Sequence, residues 1–540
     1  MTATPGNFII HRLCEIVKGD LSRIENNAGG CSMYAQVNSM GCFGMEAFCV
    51  QVEADCFNGM PRFDIVGLPG ASVKEACDRV RSAIKNCGHE FPMSRITINL
   101  APADRRKEGP IYDLPILVAL LVASGQLRAG HETAAFIGEL ALDGTVRRVN
   151  GALPMVMQAR DAGWTEVFVP AQNAAESAVV EGVKVYPVAH VRELLAHLRR
   201  QTSIEPAKPL EEAVLSPLSL LDFADVKGQR EARRALEVAA AGNHNVLMIG
   251  PPGSGKSMLA KRLPSILPDM SPAESLETTK LYSVAGALPA NVSLIRARPF
   301  RAPHHTVSAA GLSGGGSTPR PGELSLAHNG VLFLDELPEF NRAALEVLRQ
   351  PMEDGQVSIS RAAGTVHYPC TVMLVAALNP CPCGFFGHPT RRCACPQGAA
   401  QRYLSRVSGP LLDRLDIHIE VPPVEFERLS SQEQSEASAE MRKRVNRARA
   451  LQQKRFAGLE LYANGQMTPA QTRQFCRLNE EGRRLLEGAF SALGLSARAY
   501  DKILRVARSV ADLDGSETIE VPHLAEAIQF RSLDRKFWAG

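Results

Sequence analysis

The run Gly250-Pro-Pro-Gly-Ser-Gly-Lys-Ser257 constrains this chain more than any other. It has the form G-x-x-x-x-G-K-S. The apolar run Asn245-Val-Leu-Met-Ile249 precedes it, and the helix-forming Met258-Leu-Ala-Lys-Arg262 follows. A strand, a glycine-rich loop and a helix start in that order build a phosphate cradle. Gly250, Pro251, Pro252, Gly253, Ser254 and Gly255 form the loop, whose backbone can wrap an anion without side-chain clash. Loop amides and the helix N-terminus aim partial positive charge at phosphate. Lys256 is expected to reach the β- and γ-phosphates and Ser257 to ligate Mg²⁺. In isolation, a plain glycine-rich strand-to-helix turn would read the same way.

A second motif favours the phosphate reading. Gly330-Val-Leu-Phe-Leu-Asp-Glu336 is a buried-strand pattern ending in two adjacent carboxylates. Asp335 is expected to hold the Mg²⁺ shell, and Glu336 to orient and deprotonate the attacking water. Together the two motifs predict hydrolysis of a nucleoside triphosphate, ATP above all.

At 540 residues the chain exceeds a single core, so about two to four domains are expected. Its 45% hydrophobic and 22% charged residues are those of an ordinary globular protein. The longest apolar candidate, residues 116–124, is too short to span a bilayer and reads as a core helix. No secretory signal is evident at the start. The thirteen cysteines are not spaced as a secreted disulfide framework, and the expected location is the cytoplasm. A net charge of +3 demands no nucleic-acid partner by itself.

Residues 1–32 carry no clear period and contain the breaker cluster Asn26-Asn-Ala-Gly-Gly30. They read as a poorly ordered leader or an over-extended start, with Met33 as an alternative start. Residues 33–198 read as an α/β domain, with strands expected at 47–52, 63–66, 96–100, 135–137 and 166–169. Helices are expected there at 72–87 and 113–125. Residues 199–222 read as a linker. Residues 223–427 carry the nucleotide motifs. Residues 428–540 read as helical, most clearly at 496–514 and 522–530.

Further polar residues sit where a ring-forming ATPase needs them. Asn379 ends the buried-strand run Thr371-Val-Met-Leu-Val-Ala-Ala-Leu378, where it can bond the γ-phosphate or the attacking water. Arg414, in Gly409-Pro-Leu-Leu-Asp-Arg-Leu-Asp-Ile-His418, stands at the place of an arginine finger acting on a neighbour's phosphate. Arg498 opens a later helix and matches a second sensor. Each alone is an ordinary turn or surface residue. In this order they describe an AAA+ ATPase whose sites lie between subunits, and a closed ring, expected to be a hexamer, follows.

Arg298-Pro-Phe-Arg-Ala-Pro-His-His-Thr306, Gly311-Leu-Ser-Gly-Gly-Gly-Ser317, Pro321-Gly-Glu-Leu-Ser-Leu-Ala-His328 and Leu334-Asp-Glu-Leu-Pro-Glu-Phe340 resemble the magnesium-chelatase-like ATPases. The ComM/YifB family of bacteria matches best, over residues 33–540. The resemblance implies a Lon-protease-like α/β domain, an AAA+ P-loop core with a parallel sheet, and a helical C-terminal lid. It also implies a hexameric helicase that drives branch migration of recombination intermediates in natural transformation. Residues 307–322 fall where this group inserts a hairpin within its second helix. Residues 356–368 alternate as a β-hairpin with a turn near 362–364, and resemble the pore hairpin of related helicases. Arg361 at its tip is the expected DNA-phosphate contact, the alternative being a solvated edge hairpin. The basic run 442–449, with Lys454 and Arg455, reads as a solvated face that could also track nucleic acid.

Cys381, Cys383, Cys393 and Cys395 are four thiols in one loop, with His388 between them. In a reducing compartment they read as a structural Zn²⁺ site, although C-x-C is tighter than the usual spacing.

Residues 102–110 and 136–152 resemble the proteolytic domain of Lon proteases, which use a serine–lysine dyad. That resemblance lays Ile111 near the serine position and Leu153 near the lysine position. Neither can attack or accept a proton, and Ser72 and Ser82 lack a partner base. The expected role of this domain is assembly or substrate contact. Two rivals to the DNA motor remain at this level. One is the motor subunit of a magnesium-chelatase-type metal insertase. The other is a protein-remodelling ATPase, which usually carries an aromatic pore loop.

Overall fold

The computed structural model describes residues 34–209, 221–289, 292–316, 319–361, 364–388, 390–423, 435–459, 461–493, 496–531, 533 and 537. The expected leader and Met33 lie outside the described residues.

The first layer is a seven-stranded sheet. Its strands are β1 (Tyr34–Phe43), β2 (Glu46–Phe57), β3 (Arg62–Val66), β4 (Arg95–Ala101), β5 (Ala134–Phe136), β6 (Glu166–Pro170) and β7 (Lys184–Val188). They lie in the order β3-β4-β2-β1-β5-β6-β7. β2 pairs antiparallel with β1 and β4, and the other pairings are parallel. Along β2 the buried Phe48, Val50, Val52, Ala54 and Cys56 alternate with more exposed residues, so this strand has one core face. The helices are α1 (Ala76–Asn86), α2 (Asp113–Ala123), α3 (Ala152–Asp161) and α4 (Val191–Leu198). α2 packs on β1 and β2 and buries every residue but Val122.

All five strands expected here form, to within a few residues at their ends. β1 and β7 were not anticipated. In β1 the polar Asn38 and Ser39 are buried and break the apolar alternation. Asn38 Nδ2 donates to Ala134 O at 3.2 Å and Ser39 Oγ to Phe136 O at 2.9 Å. β7 contains Pro187, which is tolerated because β7 is an edge strand. The start of the expected linker lies along that edge, where Ala207 N donates to Val185 O at 2.8 Å.

The second sheet holds the nucleotide motifs. Helix α5 (Arg230–Gly242) leads into β8 (Val246–Ile249), followed by α6 (Lys256–Arg262), α7 (Pro272–Ala285), β9 (Phe300–Arg301) and β10 (Val331–Leu334). A hairpin of β11 (Gln356–Arg361) and β12 (Gly364–Pro369) precedes β13 (Met373–Leu378) and β14 (Ile417–Glu420). The sheet is parallel throughout, in the order β9-β10-β13-β8-β14. Its strands β8, β10 and β13 are buried on both faces, which is why they read as unbroken apolar runs. Val246 and Met248 enter one hydrophobic cluster, while Leu247 and Ile249 enter the other.

The C-terminal helices are α8 (Ser438–Arg455), α9 (Glu480–Leu493), α10 (Ala497–Asp514) and α11 (Val521–Gln529). They share a core with one face of the second sheet: Val445, Ile503, Val510 and Leu524 lie in the same cluster as Val246 and Val375. No helix among the described residues is long and apolar enough to cross a membrane.

Among the described residues, the two layers touch at two places. Gly151 N, at the start of α3, donates to Ser283 O of α7 at 2.9 Å, and Arg148 Nη2 donates to Leu288 O at 2.7 Å. The β1–β2 turn backs the β11–β12 hairpin. A Cβ on Gly44 would come within 2.2 Å of Val366 Cγ1, and one on Gly364 within 3.2 Å of the Phe43 ring.

Candidate functional site

β8 is flanked by β13 and β14, both later in the chain. Its C-terminal end opens at the crevice where ligands bind in sheets of this kind. Gly250 leaves β8 so close to the neighbouring chain that a Cβ would lie 2.2 Å from Val421 O. Gly253 and Gly255 follow with φ of +75° and +94°, a left-handed turn that glycine adopts without strain.

Lys256 begins α6 and is 8% exposed. Its Nζ donates to Gly250 O at 2.8 Å, Pro251 O at 3.0 Å and Asn379 Oδ1 at 3.2 Å. Burial pulls its pKa below the usual lysine value, and the charges of Asp335 and Glu336 act the other way. Ser257 Oγ donates to Asp335 Oδ2 at 2.5 Å, and the other Asp335 oxygen accepts from Glu336 N at 3.0 Å. A hydroxyl joined to a carboxylate is a hard-oxygen donor set that fits Mg²⁺. Glu336 has φ of +54°, an uncommon backbone state for a non-glycine residue that concentrates at functional sites. Its carboxylate is 53% exposed and lies 3.4 Å from His305 Nδ1.

Thus Lys256, Ser257, Asp335 and Asn379 converge, with Glu336 adjoining. Arg414 and Arg498 do not join them. Arg414 Nε donates to Arg349 O at 3.0 Å and Nη1 to Pro410 O at 2.6 Å, and Nη2 pairs with Glu353. The Arg414 carbonyl accepts from Asn245 Nδ2 at 3.0 Å, at the end of β8 opposite the glycine loop. Arg498 opens α10, is 68% exposed, and approaches Asp413 at 3.8 Å. The two arginines therefore share the far edge of the sheet.

The insert between α7 and β10 has the expected interrupted-helix form. A helix at Ala309–Ser313 leads into a ladder pairing Gly314–Gly315 with Arg320–Pro321, and a helix at Glu323–Leu326 follows. Arg361 ends β11 and is exposed. Its Nε donates to Gly316 O at 3.1 Å and Nη1 to Ser360 O at 2.9 Å, so it ties the hairpin to the insert. Residues 362 and 363 of the expected turn lie outside the described residues.

The basic run of α8 is largely engaged within the chain. Arg442 pairs with Asp269, Lys443 with Glu440, Arg444 with Glu237 and Glu436, and Arg455 with Asp512. Arg449 Nη1 donates to Tyr462 O at 2.9 Å.

The four loop thiols form a compact cluster. Cys381 Sγ lies 3.4 Å from Cys383 Sγ and 3.7 Å from Cys393 Sγ, and all four sulfurs lie within 4.8 Å of one another. Four sulfurs bound at about 2.3 Å to a tetrahedral zinc stand about 3.8 Å apart, so the donor set fits that metal. His388 is occupied otherwise: its Nδ1 accepts from the backbone N–H of Thr390 and Arg391.

In the first layer, Ile111 and Leu153 are buried in the apolar core. Ser72 Oγ accepts from Gly109 N at 3.1 Å, and the buried Lys107 ammonium donates to Pro102 O. Both groups serve the local loop.

His305 went unassigned in the sequence. It lies within the Ala302-Pro-His-His-Thr306 run, just after β9. Only the fold shows that β9 lies beside β10 and so brings this run to Glu336.

The fold and this constellation define an AAA+ ATPase module of the magnesium-chelatase type, joined to a Lon-like α/β layer and a helical C-terminal region. Three family models match: magnesium chelatase, subunit ChlI, over residues 222–429; subunit ChlI of Mg-chelatase over 52–173; and the ChlI C-terminal model over 435–531. The competence protein ComM of Haemophilus influenzae is 44% identical over 507 residues, covering 93% of this chain and 98% of that protein. The YifB protein of Escherichia coli is 44% identical over 501 residues, covering 92% and 97%. Lon protease 2 of Bacillus subtilis is 29% identical over 178 residues, 31% of each chain. The chain belongs to the ComM/YifB family.

Proposed function

We propose that this chain is an ATP-driven ring motor, most simply a hexamer, that moves DNA strands at branched junctions. The name of its relative, a competence protein, agrees with work on incoming DNA. One observation carries the step from ATPase to DNA motor. The exposed Arg361 sits where the β11–β12 hairpin meets the glycine-rich insert, a position from which a cation can engage phosphate while both elements move.

In this mechanism the loop 250–255 and Lys256 bind the nucleotide phosphates. Ser257 and Asp335 would hold Mg²⁺, which would supply charge neutralisation on the phosphates. Asn379, already bonded to Lys256, orients the attacking water. The water oxygen attacks the γ-phosphorus as its proton passes to a Glu336 carboxylate oxygen, and the bond from the β,γ-bridging oxygen to that phosphorus breaks in line, so that ADP leaves with the electron pair and inorganic phosphate is formed. Arg414 and Arg498, away from their own glycine loop, serve a neighbouring subunit's phosphate. That arrangement makes hydrolysis depend on the ring.

The test is ATP-dependent conversion of a labelled four-way DNA junction, wild type beside Lys256→Ala. Conversion that needs both ATP and Lys256 supports the motor. ATP turnover indifferent to DNA, with no conversion, sinks it in favour of a protein substrate or a chelatase partner.

A further inference from the structure

We infer that the turn a structural zinc would close at Cys381, Cys383, Cys393 and Cys395 braces the phosphate-binding loop. This brace rests on the nucleotide reading of residues 250–257.

The thiols are gathered without a covalent link. Cys383 Sγ is 3.5 Å from Cys393 Sγ and 3.4 Å from Cys381 Sγ. A disulfide needs about 2.05 Å, and these cysteines are free. Two backbone N–H groups already point at sulfur: Phe386 N at 3.3 Å from Cys381 Sγ and Cys383 N at 3.4 Å from Cys395 Sγ. Such donors orient and support ligating thiolates. Four thiolates around a divalent ion leave a net negative charge. Arg391 and Arg392 precede Cys393, and the Arg391 guanidinium lies 5.2 Å over the Phe385 ring within the same loop. Soft sulfur in a tetrahedral set selects zinc over the hard cations. With every position filled by protein, the ion is structural rather than catalytic.

The brace follows from where this loop lies. Cys381 comes two residues after Asn379, which accepts from Lys256. Gly384, just after Cys383, has φ of +82°, and a Cβ there would lie 2.3 Å from Pro252 Cδ. Phe386, Gly387 and His388 wall one cleft with Gly250 and Pro251. The metal-closed turn therefore presses directly on the glycine loop. Removing the ion frees a long loop that must then be ordered each time nucleotide binds.

The experiment uses the full chain. Its metal content is measured by mass spectrometry, zinc is released with a mercurial thiol reagent, the mercurial is stripped from the cysteines with excess small thiol and removed, zinc is then returned as the metal alone, and a fluorescent ATP analogue is titrated at each stage. One zinc per chain is expected, lost in Cys393→Ser/Cys395→Ser. Nucleotide Kd should rise about tenfold on stripping and recover on zinc return. Gly384→Ala should keep its zinc yet bind nucleotide more weakly, which separates the brace from metal-dependent folding. Iron in place of zinc, no bound metal, or a disulfide found by thiol counting would overturn the site. An unchanged Kd in stripped protein and in Gly384→Ala would overturn the brace. Failure of the zinc-loaded wild type to bind nucleotide would instead overturn the reading of residues 250–257, with the zinc count standing.

Discussion

His305 Nδ1 lies 3.4 Å from Glu336 Oε2, and the His304 ring lies tilted with its centroid 4.1 Å from that of His305. The carboxylate assigned to the attacking water thus faces an imidazole from the turn that follows β9. A base held this way is restrained until a substrate-linked movement frees it. His305→Ala should raise basal ATP turnover and cut the stimulation by junction DNA by about fivefold, the low end of typical couplings between sites. Nucleotide Kd should not move. Steady-state phosphate release with and without DNA reads both, and an unaltered stimulation ratio would remove His305 from the mechanism.

Lys256→Ala and Glu336→Gln should fail differently. Lys256 contacts the loop carbonyls and Asn379 from a buried position, so its loss should abolish nucleotide binding. Glu336 stands half-exposed beside the site, so its amide should bind nucleotide and lose turnover by about 10²–10⁴-fold, the usual worth of a general base. Binding titration beside single-turnover hydrolysis separates the two. Normal hydrolysis by Glu336→Gln would reassign the base.

Arg414 is engaged with Arg349 O and Glu353 at the end of β8 remote from its own glycine loop. Neither Arg414→Ala nor Glu336→Gln should hydrolyse ATP alone. Mixed, they should regain activity, because some interfaces join an intact base to an intact arginine. A mixing curve without recovery at any ratio would assign a site complete within one subunit.

Arg361 bonds Gly316 O rather than an acidic side chain, so its charge is not neutralised by the contact it makes. Arg361→Ala should leave basal ATPase intact and lose junction conversion, with DNA binding less steeply dependent on salt by about one phosphate contact. An unchanged conversion rate would take the hairpin out of the motor.

What was legible in the sequence depended on how local the signal was. The glycine loop, the acidic pair and the apolar strands before them are contiguous, and they fold as their patterns say. β8, β10 and β13 read clearly because burial on both faces leaves no polar residue to break the run. β1 did not, because Asn38 and Ser39 are buried with backbone partners that only the fold supplies. The Cys cluster could be found by composition, but its pressure on Pro252 through Gly384 could not. His305 and Glu336 lie in the turns that follow β9 and β10, and no spacing relates them. The basic residues of α8 looked available for nucleic acid, yet their acidic partners come from positions as distant as Glu237 and Asp512.

The lid and the sheet are riveted by a buried ion pair that bears on Arg414 and Arg498. Lys502 Nζ of α10 lies 3.2 Å from Asp416 Oδ1 and donates to Leu415 O at 3.2 Å, while Asn245 N donates to Asp416 Oδ2 at 3.1 Å. Burial alone would raise the Asp416 pKa, but Lys502 and the hydrogen bonds outweigh it and hold the carboxyl far below the usual value. A carboxylate depressed on folding adds stability above its unfolded pKa of about 3.9, and that contribution fades as pH falls below it. Asp416→Ala leaves Lys502 buried and unpaired, at a cost of about 3–5 kcal/mol. The variant should therefore melt well below the wild type at neutral pH, with the gap closing in acid. Melting curves between neutral pH and strong acid check this, and a gap independent of pH would mean that Asp416 acts by packing rather than charge.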